Sequence, residues 1–176
     1  MTHREQVLAD FEKPLELLAA CHDRIEMQCE ALRNLVGHLP VYGCDAQAQQ
    51  AASNVMRYFD GAGRHHREDE ELDLFPLLAA AAKGQNAGRV ALLVDQIRRE
   101  YKGIEQTWLD LRDALESIAH GENAPLDGEK ARRFCGTYRA HIAMEEAELF
   151  PLAEMLLKAG DLAALGKSMA ARRGIR

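Results

Sequence analysis

Apolar residues recur at every third or fourth position along most of the chain, which is the spacing of one buried face of an α-helix. Two such stripes are long: one covers residues 15–36 and the other residues 90–118. No segment alternates apolar and polar residues for long enough to predict a β-sheet. The pattern therefore predicts an all-α fold.

Helix-breaking and helix-capping residues divide this pattern into four long helices and a short fifth one. Pro14 suits the first turn of a helix, Asp45 suits an N-cap, and Gly43, Gly84 and Gly121 suit helix ends. The predicted helices run from Pro14 to about His38, from Asp45 to about Gly84, from about Gly88 to His120, from about Asp127 to Gly160, and from Asp161 to Met169.

Four long helices with short connections favour an up-down-up-down four-helix bundle. The predicted organisation is an N-terminal segment over residues 1–13, the bundle over residues 14–160, and a short C-terminal helix and tail over residues 161–176. The length of 176 residues suits one domain with a full core.

Polar side chains interrupt the apolar stripe of every long helix. The first stripe contains His22 and the third contains Tyr101. The second stripe is predicted to be Val55, Phe59, Ala62, His66, Glu70 or Leu74, and Leu77; the fourth is Phe134, Tyr138, His141, Glu145, Leu149, Leu152 and Leu156. With a rise of about 1.5 Å per residue, these polar groups can share one layer of a bundle.

One string occurs twice in the chain, as His-x-x-x-Glu-Glu-x-x-Leu-Phe-Pro beginning at His66 and again at His141. A His and a Glu four residues apart lie on the same face of a helix. An imidazole nitrogen beside a carboxylate oxygen suits a first-row transition metal such as iron. Each copy ends in a proline, Pro76 or Pro151, which we expect to kink its helix beyond the site.

The charge, the apolar runs and the cysteines limit the binding partners and the cellular location that we expect. The formal net charge is -6 and basic residues cluster only in short groups such as Arg172 and Arg173, which argues against nucleic acid or an acidic membrane surface as a partner. The N-terminus lacks the apolar stretch of a signal peptide and no apolar run is long enough for a membrane span, so we expect a cytoplasmic protein. The four cysteines form no Cys-x-x-Cys pair and are interpreted as reduced packing residues.

Burial energetics favour a bound cation. Two buried carboxylates, Glu70 and Glu145, would cost several kcal/mol each without partners. No Lys or Arg lies on the inward stripes to pair with them. A metal ion between the helices neutralises the carboxylates and accepts neutral imidazole nitrogens.

The two repeated strings, together with the segment from Cys21 and His22 to Glu26, resemble the bacterial hemerythrin-like proteins, or HHE cation-binding domains. The resemblance covers about residues 15–157. It implies a four-helix bundle that holds a non-haem di-iron centre with an oxo or hydroxo bridge; zinc and manganese are alternatives. Carried over by position, the implied ligands are His22, His66, Glu70, His141 and Glu145, with the two glutamates as bridging carboxylates. His65 is an alternative to His66, which its register with the Leu-Phe-Pro end of the string favours.

The third helix departs from the family pattern, because Tyr101 stands where the family usually places a histidine. Three outcomes are open: Tyr101 ligates as a phenolate, Glu105 or Glu26 completes the coordination, or the site lacks one ligand and holds a single metal or a weakly bound second one.

The resemblance implies several functions. The first is the binding or sensing of a small diatomic ligand, oxygen or nitric oxide, by a monomer or homodimer. The alternatives are a di-iron enzyme acting on peroxide, oxygen or nitric oxide, an iron-handling protein, and a structural metal site.

Overall fold

A computed structural model describes residues 11–175 of the chain, which form helices and turns with no strand in that range. The all-α prediction is confirmed, whereas the up-down-up-down order of the bundle stays a prediction. Within the same residues, no helix combines the length and the apolar character needed to cross a membrane.

The helices occur in chain order with three π-helical turns between them. The α-helices are α1 (Pro14–Tyr42), α2 (Ala46–Arg57), α3 (Arg64–Asp69), α4 (Phe75–Ala81), α5 (Gln85–Ala119), α6 (Gly128–Met144), α7 (Phe150–Leu156) and α8 (Ala159–Arg172). The π turns are π1 (Tyr58–Gly63), π2 (Glu70–Leu74) and π3 (Glu145–Leu149). The predicted domain boundaries after residues 13 and 160 stay predictions.

Several predicted helix ends are confirmed. Asp45 caps α2, since its side chain accepts a hydrogen bond from the Ala48 amide at 2.9 Å. Gly121 has a φ of +86° and ends α5, where the Glu122 amide donates to the Ser117 carbonyl at 3.0 Å. This is the Schellman arrangement, which requires a residue in the left-handed region.

Two predicted helix ends are wrong. The first helix does not stop near His38 but continues through Pro40 to Tyr42, because a proline in the last turn removes only one backbone hydrogen bond. Gly43, with a φ of +70°, ends it. The fourth does not reach Gly160: it ends at Leu156, and Leu157 is extended with ψ 139°.

The chain forms two compact units. Within the described residues, the first comprises 11–22, Arg64–Arg99 and 142–175, and the second comprises Asp23–Gly63 and Glu100–His141. The core of the first unit contains Leu18, Leu74, Leu78, Ile97, Leu149, Leu165 and Met169, each with at most 1% of its surface exposed.

An aromatic cluster lies in the core of the second unit. The ring of Phe134 lies 5.0 Å from that of Phe59, 5.6 Å from that of Trp108 and 5.1 Å from that of Tyr138. The Trp108 indole also donates a hydrogen bond to Asp60 at 3.0 Å. Because each side chain touches two or more other rings, this cluster is a major source of apolar burial in the unit.

The π turns shift the buried face of their helices by one residue. The predicted stripe position Ala62 is exposed and Gly63 is buried, and Leu77 is only half-buried while Leu78 is fully buried. Those two predictions are wrong because a π turn contains one more residue than the α-helical spacing allows. In π2 and π3 the irregularity precedes Pro76 and Pro151, which lack the amide hydrogen that an α-helix would use.

Candidate metal centre

Four side chains of the first unit converge in one buried cluster: His22, His66, Glu70 and Glu145. Each offers one ligand atom, and these atoms all lie within 4.8 Å of one another. The two histidines are 1% exposed and the two glutamates are 0% exposed. They come from α1, α3 and the first residues of π2 and π3, so three distant segments of sequence build one site.

Two glutamates hold the ring of His22. Its Nδ1 lies 2.9 Å from Oε1 of Glu146, to which the N–H donates, and its Nε2 lies 3.1 Å from Oε2 of Glu145. Phe150 stacks on the imidazole with a ring separation of 5.2 Å. A carboxylate on one ring nitrogen fixes the tautomer and leaves the other nitrogen for a metal. Glu146 therefore orients the imidazole of His22.

The same glutamates control the charge of His22. Burial lowers the pKa of His22, but the hydrogen bonds and negative charges of Glu145 and Glu146 outweigh it and raise the pKa above its ordinary value. A positive charge is therefore favoured between these carboxylates. A metal ion supplies such a charge while it accepts the imidazole nitrogen.

The two glutamates of the cluster occupy matching backbone positions. Glu70 is the first residue of π2 and accepts through its carbonyl from the Phe75 amide, and Glu145 is the first residue of π3 and accepts from the Phe150 amide. The repeat in sequence is thus a repeat in local conformation. Isolated π turns inside helices are frequent at functional sites, where they reposition a side chain. His66 lies one turn before, with its Nε2 3.6 Å from Oε1 of Glu70.

The second unit brings together two more of the predicted ligands. The rings of Tyr101 and His141 lie 4.5 Å apart in an edge-to-face contact, and each residue is 1% exposed. Oε2 of Glu100 lies 2.9 Å from Nδ1 of His141 and accepts its N–H. In both His141 and His22, Nδ1 is thus hydrogen-bonded to a glutamate carboxylate. The glutamate comes from a different helical segment in each case. Ligation by Tyr101 and His141 stays a prediction.

The remaining candidates lie outside the four-residue cluster. The side chains of Glu26 and Glu105 are exposed, and His65 is only partly buried beside the fully buried His66. Glu71, which follows Glu70, instead accepts a hydrogen bond from Arg67 at 2.9 Å.

The sequence analysis did not predict two contacts of acidic side chains. Glu100 directly precedes Tyr101 in the sequence, and its contact with His141 joins positions 41 residues apart. Asp69 is 0% exposed, although it lies outside every predicted stripe. Arg172 and Arg173 form a basic pair in the sequence, but so do Arg98 with Arg99 and Arg132 with Arg133, and nothing in the periodicity connects any of these pairs to Asp69.

The donor set of the cluster fits a first-row transition metal. Two imidazoles and two carboxylates supply two nitrogen and at least two oxygen ligands, which bind iron, zinc or manganese. Buried carboxylates normally bind a metal or pair with cations, and the cluster contains two of them within 4.8 Å.

The fold and this site agree with the family to which the chain belongs. The sequence profile of the hemerythrin HHE cation binding domain matches residues 13–153, so this protein is a member of that cation-binding family. It is also 30% identical over 171 residues to an uncharacterised protein of Haemophilus influenzae, an alignment that covers 97% of this chain and 96% of the relative.

Proposed function

We propose that this protein binds iron at the cluster of His22, His66, Glu70 and Glu145 and uses it to bind or sense oxygen or nitric oxide. One observation carries the proposal: four metal-ligand side chains, each at most 1% exposed, place their ligand atoms within 4.8 Å of one another. A metal ion of this kind supplies an open coordination position and a change of redox state when it is bound.

The protein side chains prepare that position. Glu146 orients the imidazole of His22, and the π turns direct the carboxylates of Glu70 and Glu145 inward. Leu74 and Leu149, the last residues of the same turns, are 0% exposed and exclude water from this part of the core. A small apolar molecule is favoured in such surroundings over a charged substrate.

We further propose that the centre holds two iron ions, with Tyr101 and His141 as additional ligands. The support is the repeated string, the family resemblance and the contact of Glu100 with Nδ1 of His141, which orients that ring as a carboxylate orients a metal-binding histidine.

A second candidate function is that of a di-iron enzyme acting on peroxide, oxygen or nitric oxide. Tyr101 favours it, because a phenol that is 1% exposed and stands in a histidine position would stabilise the ferric state as a phenolate ligand.

We also propose a cytoplasmic location for the protein. The four cysteines are free thiols, which suits that reducing compartment.

The first experiment measures iron per chain after anaerobic loading with ferrous iron and removal of the excess. We expect the wild type to retain iron, His66→Ala to lose most of it, and His65→Ala to behave as the wild type. The two variants remove the same side chain from adjacent positions, of which only His66 is fully buried in the cluster. Retention of zinc alone, or equal losses in both variants, would contradict the proposal.

The second experiment records the visible spectrum of the oxidised, iron-loaded protein. An iron-phenolate ligand gives a charge-transfer band, so Tyr101→Phe should remove the band and Tyr138→Phe, at a neighbouring buried ring, should keep it. A spectrum that both variants leave unchanged excludes Tyr101 as a ligand. Reversible spectral cycling with oxygen then supports a carrier or sensor, whereas irreversible oxidation with consumption of peroxide supports the enzyme.

A further inference from the structure

Two arginines at the end of the C-terminal helix bind a buried aspartate in the first unit. Arg173 donates to both carboxylate oxygens of Asp69, with Nη2 2.6 Å from Oδ2 and Nη1 3.2 Å from Oδ1. Arg172 donates to Oδ1 of Asp69 and, through Nη2, to Oδ2 of Asp73 at 2.6 Å. The side chain of Asp69 is 0% exposed, while those of the arginines are 16% and 20% exposed. We call this group of four the arginine clamp.

The clamp binds the π turn π2, which contains the predicted metal ligand Glu70. Asp69 immediately precedes Glu70, and Asp73 lies inside π2 (Glu70–Leu74). The clamp therefore holds the backbone on both sides of Glu70. Charge-assisted, bidentate hydrogen bonds between guanidinium and carboxylate are among the strongest and most directional in proteins.

The helix that carries the two arginines, α8, is packed tightly against the rest of the first unit. Leu165 and Met169 on α8 are 0% exposed. A Cβ atom added at Gly166 would lie 2.0 Å from the carbonyl oxygen of Phe11, so the two backbones approach more closely than any side chain would allow. Asp161 accepts the Lys158 amide at 2.9 Å in the first turn. The arginines thus reach the aspartates from a fixed support rather than from a loose tail.

Among residues 11–175, the other copy of the repeat has no clamp. Met144 stands at the position of Asp69, and Glu148 stands at the position of Asp73. Glu148 faces Arg89 at 3.7 Å, and both side chains are more than half exposed. An exposed pair at that distance contributes little. The two halves of the repeat therefore share their ligand residues and their π turn but differ in what holds the turn.

We propose that Arg172 and Arg173 are positioning residues for the metal centre: they fix π2 so that the carboxylate of Glu70 stays aimed at the ion. The inference rests on the proposed iron site. The profile match to the family ends at residue 153, so the two arginines of the clamp lie beyond the matched domain and its two aspartates lie within it. It acts from α8 through Asp69 and Asp73 and not by ligating the metal.

We expect loss of the clamp to speed the release of the metal ion. Loss of residues that orient metal ligands typically weakens metal binding by about 10- to 100-fold. We expect the double variant Arg172→Gln/Arg173→Gln to bind iron to the wild-type stoichiometry at saturation but to release it to a chelator about tenfold faster or more. The matched control is Arg89→Gln, which removes the corresponding contact in the other half, and should release iron within twofold of the wild-type rate.

A second readout separates positioning from general stability. Hydrogen exchange of the metal-free protein should become faster at the amides of π2 in the double variant and remain unchanged at those of π3. If the double variant does not fold, Arg172→Lys, which keeps the charge but loses the bidentate geometry, is measured in the same way and should show a smaller acceleration of iron release. A wild type that retains no iron overturns both proposals, whereas a wild type that retains iron and variants that release it at the wild-type rate overturn the clamp alone.

Discussion

Replacing Glu70 by glutamine should stabilise the metal-free protein and destabilise the iron-loaded one. The perturbation removes one negative charge from a cluster in which the ligand oxygens of Glu70 and Glu145 lie within 4.8 Å. At an effective dielectric constant of about 20, two unit charges at that separation repel each other by about 3 kcal/mol. The His66 imidazole, 3.6 Å from Glu70, offsets part of this repulsion. We therefore expect a net gain of about 1 to 2 kcal/mol in the unfolding free energy of the metal-free variant.

The iron-loaded proteins should show the opposite order. A ligand that binds only the folded state stabilises it by about 2.7 kcal/mol at a concentration 100 times its dissociation constant. The wild type should gain about that much, and the variant, which has lost an anionic ligand, should gain much less. The assay is urea unfolding at neutral pH, with a chelator in one series and excess ferrous iron under anaerobic conditions in the other.

The matched control is Glu71→Gln, one residue further along the same π turn. Glu71 pairs with Arg67 at 2.9 Å, and both side chains are partly exposed. Its replacement should change stability by less than about 1 kcal/mol and equally in both series. If metal-free Glu70→Gln is less stable than the metal-free wild type, or if iron stabilises both proteins to the same extent, the electrostatic reasoning about this cluster is refuted.

Three further predictions concern the second unit. Phe134→Ala should lower the unfolding free energy by about 3 to 5 kcal/mol in urea, because the ring contacts three others and is 1% exposed; a loss below about 1 kcal/mol would contradict the packing. Hydrogen bonds from the Ala48 amide, which has the larger effect, and from His38 lower the pKa of Asp45 in the folded protein. The Asp45 carboxylate therefore stabilises the fold above its unfolded pKa of about 3.9, and this stabilisation is lost as the pH falls through the lower folded pKa. Acid unfolding curves of the wild type and Asp45→Ala should therefore converge at low pH, and a constant gap would refute this. Cys44 alone should react readily with a thiol reagent in the native protein, since the other three cysteines are buried; mass spectrometry of labelled peptides checks this, and early labelling of Cys135 would disprove it.

The sequence predicted the buried faces well where the helices are regular. The predicted stripe of α5 is buried at every position, because one uninterrupted 35-residue helix keeps its period. These positions are Val90, Val94, Ile97, Tyr101, Ile104, Trp108, Leu111, Leu115 and Ile118. The predictions failed for Ala62, which lies within π1, and for Leu77, which lies in the helix that follows π2. An α-helical period cannot anticipate an extra residue, although Gly61 and Pro76 mark where the irregularities lie.

The candidate site was predictable for a different reason. A His and a Glu four residues apart are recognisable by their spacing, so the sequence alone assigns His66 and Glu70 to one face of a helix. Contacts between remote segments carry no such signal. The partners of Asp69 lie 103 and 104 residues away, and the carboxylate on His141 lies on another helix. Periodicity locates the ligands, whereas only the folded chain shows what supports them.

The π turns also determine which kinds of mutation the protein can tolerate. Leu72 lies in the middle of π2 with 63% of its surface exposed, so most substitutions there should be harmless. Its deletion would leave the residue count of an ordinary α-helix and rotate Phe75 and Leu78 by about 100° relative to His66. Two core side chains would then point away from the core. Leu72 is therefore a spacer whose identity matters little and whose presence is essential, so insertions and deletions at this position should be far more damaging than replacements.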